Sequence, residues 1–387
     1  MLLTGTGRLA PIGLSPWALR VEGGRIAWVG APHEADDADR VDLGVALVTP
    51  GLVDAHTHPV FAGDRADEAA ARLEGAPYTD GGILRTMRAT RDADEGTLET
   101  LVEARLRAAL AAGTTTVECK SGYGLSLDAE LRQLRIIRRV AGRLPIRVVA
   151  TLLGAHAVPP EASSPEAYVR LVADEMIPAA AAEGLADFVD VFADAGFFDL
   201  AAVERIAGAA TAAGLGLRLH AEQLERTGAA ELGVRLGAAS VDHLEQLDAA
   251  GVAELAGSGT VATLLPAPAI VLRDRLPPAR SLLDAGATVA LASDANAGTY
   301  GGFGTMPLIV GLGATLLGMS VSEALTAATV GGGASLGIGE LGRLEAGAPA
   351  DLVAWEADHE GAFALRLGAL RPHRIWIAGR EVPLASV

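Results

Sequence analysis

From about Gly51 to Gly337, short apolar runs alternate with stretches whose apolar residues recur every three or four positions. This alternation predicts strand and helix units repeated along one parallel sheet. Two helical stretches are legible residue by residue. Residues 97–112 bring Leu98, Leu101, Val102, Leu106 and Leu110 close to one face, and residues 128–140 do the same with Leu131, Leu134 and Ile137. Strand-like runs begin with the apolar segment before His56 and continue at 114–119, 148–155, 188–192, 216–219, 240–242, 260–265 and 288–293. Together they suit an α/β fold of the (β/α)8 type, a TIM-like barrel. The apolar run 307–319 is too short to cross a bilayer and is expected to be a buried helix.

Both chain ends follow a different period. Residues 18–21 and 25–29 alternate around a turn of Glu22, Gly23 and Gly24, and 351–355 and 374–380 repeat the pattern near the C-terminus. The ends are expected to pair into one small β-sandwich. This predicts sandwich over 1–48, barrel over 49–344 and sandwich again over 345–387. Residues 34–39 are expected to form an acidic loop.

The chemistry collects where the predicted strands stop. His56 and His58 stand at i and i+2 after an apolar run, so on an extended chain both side chains face one side and can grip one ion. Later runs stop at His156, His220, His243 and Asp294, so five of the eight histidines lie at predicted strand ends. A parallel barrel keeps its active site at those ends. The other three, His33, His359 and His373, lie in the terminal segments and are expected to be solvated. With His56, His58 and His220 as nitrogen ligands and Asp294 as the oxygen ligand, room remains for water, which describes a catalytic metal rather than a structural one. Such a metal lowers the pKa of its water and polarises a carbonyl or amidine carbon, so the expected reaction is hydrolysis of a C–N bond. His243, one strand beyond His220, is better placed to handle a proton or stabilise an oxyanion than to bind metal.

Charge and composition narrow the partners. Half of the 387 residues are hydrophobic, enough for a sizeable core, and the formal net charge is -17. Neither nucleic acid nor an acidic membrane is expected as a partner, because both need a basic footprint. Cys119 is the single cysteine, so no intrachain disulfide forms and a reducing, cytoplasmic location is expected. The first residues show neither a basic segment nor an uninterrupted apolar core, so no signal peptide is expected. Residues 337–342 match G-x-G-x-x-G, but no strand leads in and no crossover helix with a ribose-binding acid follows, so dinucleotide binding is not expected. No Walker loop or C-x-x-C pair occurs.

Several segments then carry a resemblance. Asp54 to His58 running into Phe61 to Arg65, Gly81 to Leu84, Glu118 to Leu125, Leu219 to Gln223, Asp242 to Glu245 and Ser293 to Thr299 resemble the amidohydrolase superfamily. Lys120, Ser121, Gly122, Tyr123 and Gly124, with an arginine seven residues after His58, are more particular and are similar to the imidazolonepropionase family. The resemblance covers nearly the whole chain. It implies hydrolytic opening of the lactam of 4-imidazolone-5-propanoate to N-formimidoyl-L-glutamate, with metal on His56, His58, His220 and Asp294. It also implies that Arg65, Tyr123, His156 and the loop of Asn296, Gly298 and Thr299 hold the substrate. A fixed guanidinium suits a propanoate as a two-pronged donor, and a planar ring can lie against Tyr123. Without that role Arg65 would be a surface residue balancing Asp64 or Asp67.

Two-metal relatives bridge their ions with a carboxylated lysine at the end of the fourth strand. Here that strand ends without one, and the only lysine, Lys120, ends the second strand. One ion per chain is therefore expected, zinc or iron as Fe2+ or Fe3+, in a homodimer acting on a small anionic ring. Two departures stand out. Ala297 replaces a proline common in relatives, which is expected to loosen its loop, and Gln223 stands where some relatives have a proton-shuttling glutamate. Glutamine hydrogen-bonds but does not titrate. Gln223 is thus expected to touch substrate, and proton transfer falls to His243, Asp294 or Glu222. The rival enzyme reading is a mononuclear aminohydrolase of a nucleobase-like ring, which needs no carboxylate clamp. A barrel scaffold without chemistry would show gaps among the ligands, and none is missing.

Overall fold

A computed structural model of the chain describes residues 1–35, 39–75 and 81–383; within the acidic stretch, Asp36, Asp37 and Ala38 lie outside the described residues. At the N-terminus β1 (Leu2–Gly5), β2 (Trp17–Glu22), β3 (Arg25–Gly30) and β4 (Arg40–Asp42) make a sheet of order β3-β2-β1-β4. Gly23 and Gly24 turn β2 into β3 with φ of 56° and 81°, a conformation that side chains with a Cβ resist. β5 (Leu47–Pro50) leaves that sheet, and after Gly51 β6 (Leu52–Asp54) opens the barrel. The sandwich therefore reaches Pro50, two residues past the expected boundary.

The barrel continues through β7 (Thr114–Lys120), β8 (Arg147–Ala155), β9 (Phe188–Ala193), β10 (Gly216–Ala221), β11 (Ser240–His243), β12 (Val261–Leu264) and β13 (Val289–Leu291), all parallel and paired in chain order. Each expected run becomes a strand within a few residues of its predicted ends. The ring closes just past the strands, where Asp294 N–H donates to His56 O at 3.0 Å and His58 N–H to Ala295 O at 2.9 Å. Closure therefore joins the two segments that carry His56, His58 and Asp294.

After the barrel, β14 (Leu352–Trp355), β15 (Pro372–Ile377) and β16 (Arg380–Val382) join β5 in a sheet of order β16-β15-β14-β5. The expected single run over 374–380 is instead two strands, because Ala378 and Gly379 take φ of 47° and 71° and reverse the chain. Leu3, Trp17, Leu19, Val48, Leu352 and Trp376 pack between the two terminal sheets, which is the expected β-sandwich.

Helices sheathe the barrel. Asp94 caps Glu95–Ala111 by accepting from Thr97 N–H at 2.8 Å, and Leu98, Val102, Leu106 and Leu110 are buried. A leucine so buried contributes about 1.5–3 kcal/mol. Leu127–Ala141 buries the expected Leu131, Leu134 and Ile137, but also Glu130 and Gln133. The apolar run at 307–319 forms Met306–Leu316, ending before Gly318, whose φ of 68° turns the chain. Among the described residues no helix is long and apolar enough to cross a membrane.

Candidate active site

Beyond β6 the chain stays extended, so His56 and His58 alternate with Ala55 and Thr57 and face one side. β10 brings His220 beside them, with its ring centroid 4.5 Å from that of His56 and 5.5 Å from that of His58. One ligand nitrogen from each of these three lies within 4.8 Å of the others. Asp294 Oδ1 stands 3.6 Å from His56 Nε2 and 3.4 Å from His58 Nε2.

Two buried acids explain how the rings are turned. His56 Nδ1 lies 2.6 Å from Asp242 Oδ2 and His220 Nδ1 lies 3.1 Å from Asp190 Oδ1, so each ring gives its Nδ1 proton to a carboxylate and turns an Nε2 lone pair inward. The acids are anchored by cations. Lys120 Nζ donates to Asp190 and to Glu118 at 2.7 Å each, and Arg218 donates to Asp242 at 3.0 Å. Burial would raise Asp190, yet His220 and Lys120 hold its carboxyl well below the usual range. Burial, then the charge of Lys120, keeps His56 well below the usual histidine value, and burial lowers His58 against the pull of Asp294. Three clustered imidazole nitrogens with a carboxylate oxygen beside two of them fit a zinc or iron ion.

His243 enters from the neighbouring strand with its ring centroid 5.4 Å from that of His220. The chain turns sharply here, with φ of 83° at His243 and 70° at Leu244, and brings Glu245 Oε1 to 3.4 Å from His243 Nδ1. Burial presses His243 toward neutrality, but Glu245 and then Asp294 outweigh it and raise its pKa.

The expected substrate residues gather in one pocket, where Arg65, Tyr123, His156, Gln223, Asn296 and Thr299 join His58, His220, His243 and Asp294. Gly298 lies beneath Arg65, where a Cβ would stand 2.1 Å from a guanidinium nitrogen, so a side chain there would push the arginine from this position. The loop is held despite Ala297. Asn296 Oδ1 accepts from the N–H groups of Gly298 and Thr299 at 2.7 and 2.8 Å. Arg65 is buried rather than on the surface, and its partner is neither Asp64 nor Asp67. It forks onto Glu68 at 2.8 and 2.5 Å.

Glu222 corrects the expectation. A φ of 58° turns it out of the pocket, and its carboxylate accepts from the N–H groups of Thr227 and Gly228, both at 2.9 Å, and from Arg226. It binds a loop and is not placed to handle the reaction's proton. Asp190, Asp242 and Glu245, unassigned from sequence, contact His220, His56 and His243. One signal was present: an acid such as Asp190 inside an apolar strand is buried only with partners. His33, His359 and His373 are exposed, as expected.

The profile of the amidohydrolase family matches residues 47–382. Among curated proteins, the imidazolonepropionase of Ectopseudomonas mendocina is 49% identical over 365 residues, 91% of this chain and 90% of that protein. That of Rhizorhabdus wittichii is 47% identical over 365 residues, 91% of each. Among solved structures, 5-methylcytosine deaminase of Klebsiella pneumoniae has a TM-score of 0.80 at 17% identity, covering 99% of this chain and 97% of that one. An adenosine deaminase of Xanthomonas campestris with bound zinc has a TM-score of 0.72 at 20% identity, covering 98% and 92%. These two likenesses concern the fold.

Proposed function

Because the chain belongs to the amidohydrolase family and, within it, to the imidazolonepropionases, we propose that it opens the lactam of 4-imidazolone-5-propanoate to N-formimidoyl-L-glutamate in histidine degradation. The observation that carries this reading is the gathering of Arg65, Tyr123 and His156 in one pocket with the histidine cluster. His56, His58, His220 and Asp294 would hold one zinc or iron ion. When bound, it supplies a water of lowered pKa and polarises the lactam carbonyl.

The side chains divide the rest of the work. Arg65 meets the propanoate, while Tyr123 and His156 flank the ring. Asp294 and His243 face the carbonyl carbon, where water adds, the ring C–N bond breaks and the nitrogen leaves with a proton. His243 carries that proton, because Gln223 does not titrate and Glu222 faces elsewhere. We place the enzyme in the cytoplasm and expect a homodimer.

The test follows lactam absorbance with purified protein on imidazolone propanoate, with cytosine and guanine as controls. Loss of imidazolone propanoate alone supports the reading; turnover of a nucleobase instead would favour the aminohydrolase alternative. Arg65→Met should cost about 10- to 150-fold in kcat/KM, the worth of one charge-assisted contact of about 1.5–3 kcal/mol. Most of the loss should fall on KM, with metal content unchanged. A variant as good as the parent would remove the clamp. Gln223→Glu should remain active at neutral pH, and an acceleration by orders of magnitude would mean that a carboxyl group is wanted there.

A further inference from the structure

Tyr123 and His156 are held from outside the pocket by one helix. The loop after β7 spends its backbone N–H groups on that helix, Leu127–Ala141. Gly122 N–H donates to Glu130 Oε2 at 2.9 Å, and Gly124 and Leu125 N–H donate to Glu130 Oε1 at 2.7 Å each. Tyr123 N–H lies 3.4 Å from Gln133 Oε1, one turn further on. Glu130 and Gln133 are both wholly buried.

Such a loop does not hold itself. Gly122 and Leu125 have φ of 108° and 50°, the second a left-handed conformation unfavourable for leucine. A Cβ at Gly124 would lie 2.7 Å from the backbone of Ala129 and Glu130, so the loop lies flat on the start of the helix. Its other side faces the pocket. Gly122 O accepts from His156 Nδ1 at 2.9 Å, and the Tyr123 and His156 ring centroids are 5.2 Å apart. One carboxylate thus holds the backbone that carries the Tyr123 ring and accepts from the His156 ring.

We propose that Glu130 is a positioning residue for ring recognition: by gathering the N–H groups of Gly122, Gly124 and Leu125 it sets where Tyr123 and His156 meet the planar ring of the substrate. This rests on the substrate reading above. Glu130 itself lies outside the pocket and touches neither the metal cluster nor the reacting atoms. Its influence therefore belongs in binding that is equal in ground and transition states.

The test compares Glu130→Gln and Glu130→Asp with the parent in three measurements: kinetics on imidazolone propanoate, metal per chain, and amide hydrogen exchange at residues 122–125. Glutamine offers one acceptor oxygen and turns an NH2 toward an N–H. Glu130→Gln should raise KM about tenfold or more while kcat stays within about threefold, the range expected for lost charge-assisted bonds. Metal content should be unchanged, and exchange at 122–125 should quicken. Glu130→Asp keeps the charge and should raise KM less; it carries the test alone if the glutamine variant does not fold. An unchanged KM with faster exchange would reduce Glu130 to a structural residue, and loss of metal or an equal fall in kcat would place its action elsewhere. If the parent leaves imidazolone propanoate untouched, the substrate reading falls, and unchanged exchange in the variants would overturn the loop-holding role separately.

Discussion

Replacing His58 with alanine is expected to abolish hydrolysis and strip the metal together. The three imidazoles cluster, with Asp294 beside two of them, and His58 Nε2 is 3.2 Å from His56 Nε2 and 3.4 Å from Asp294 Oδ1. Removing a partner outside the ligand shell already costs about 10- to 100-fold in metal affinity, so loss of a direct ligand should exceed that. The neighbouring pocket imidazole, His156, gives its Nδ1 proton to Gly122 O, which ties its ring to the loop after β7, and burial holds its pKa well below the usual value. Elemental analysis alongside the lactam assay gives the result: the parent should carry close to one zinc or iron per chain and the variant much less. Full metal occupancy in an inactive His58→Ala protein would make the residue a substrate contact, and two tightly bound ions in the active parent would end the single-ion reading.

His243→Ala should behave differently, keeping its metal while kcat falls by about 10²-fold or more. His243 is outside the cluster of His56, His58 and His220, yet Glu245 draws its Nδ1 and leaves the rest of the ring to the pocket. Adopting φ of 83° and 70° at two successive residues that are not glycine has an energetic cost, which marks the position as one held by its surroundings. Metal loss in this variant would turn His243 into a ligand. A kcat close to that of the parent would leave proton transfer to Asp294.

Much of this could be read from single residues because the signals are local. Period-two alternation on an extended segment decides that His56 and His58 share a side, whatever the rest of the chain does. The strand ends at His156, His220, His243 and Asp294 are visible because a buried parallel strand is a short, largely apolar run. Loop residues were harder. Arg65 carries a recognisable motif, but its partner Glu68 lies on the following helix, where sequence spacing ranks it no higher than Asp64 or Asp67.

The amino-acid sequence by itself determined the barrel, the sandwich at its ends and the strand-end placement of His56, His58, His220 and Asp294, because each follows from side-chain direction within one strand. Only the tertiary structure decided which acids serve them. Asp242 on β11 reaches His56, which follows the non-adjacent strand β6, across 186 positions, and Asp190 on β9 reaches His220 on the adjacent strand β10 across 30. Glu222 and Glu245 are each two residues beyond a histidine, yet one turns to a loop and the other back to His243. Glu130 is an ordinary helical glutamate until the loop after β7 folds over it. In each case the pattern specifies where a side chain starts, while its partner is chosen by backbone turns and strand neighbours that exist only in the closed barrel.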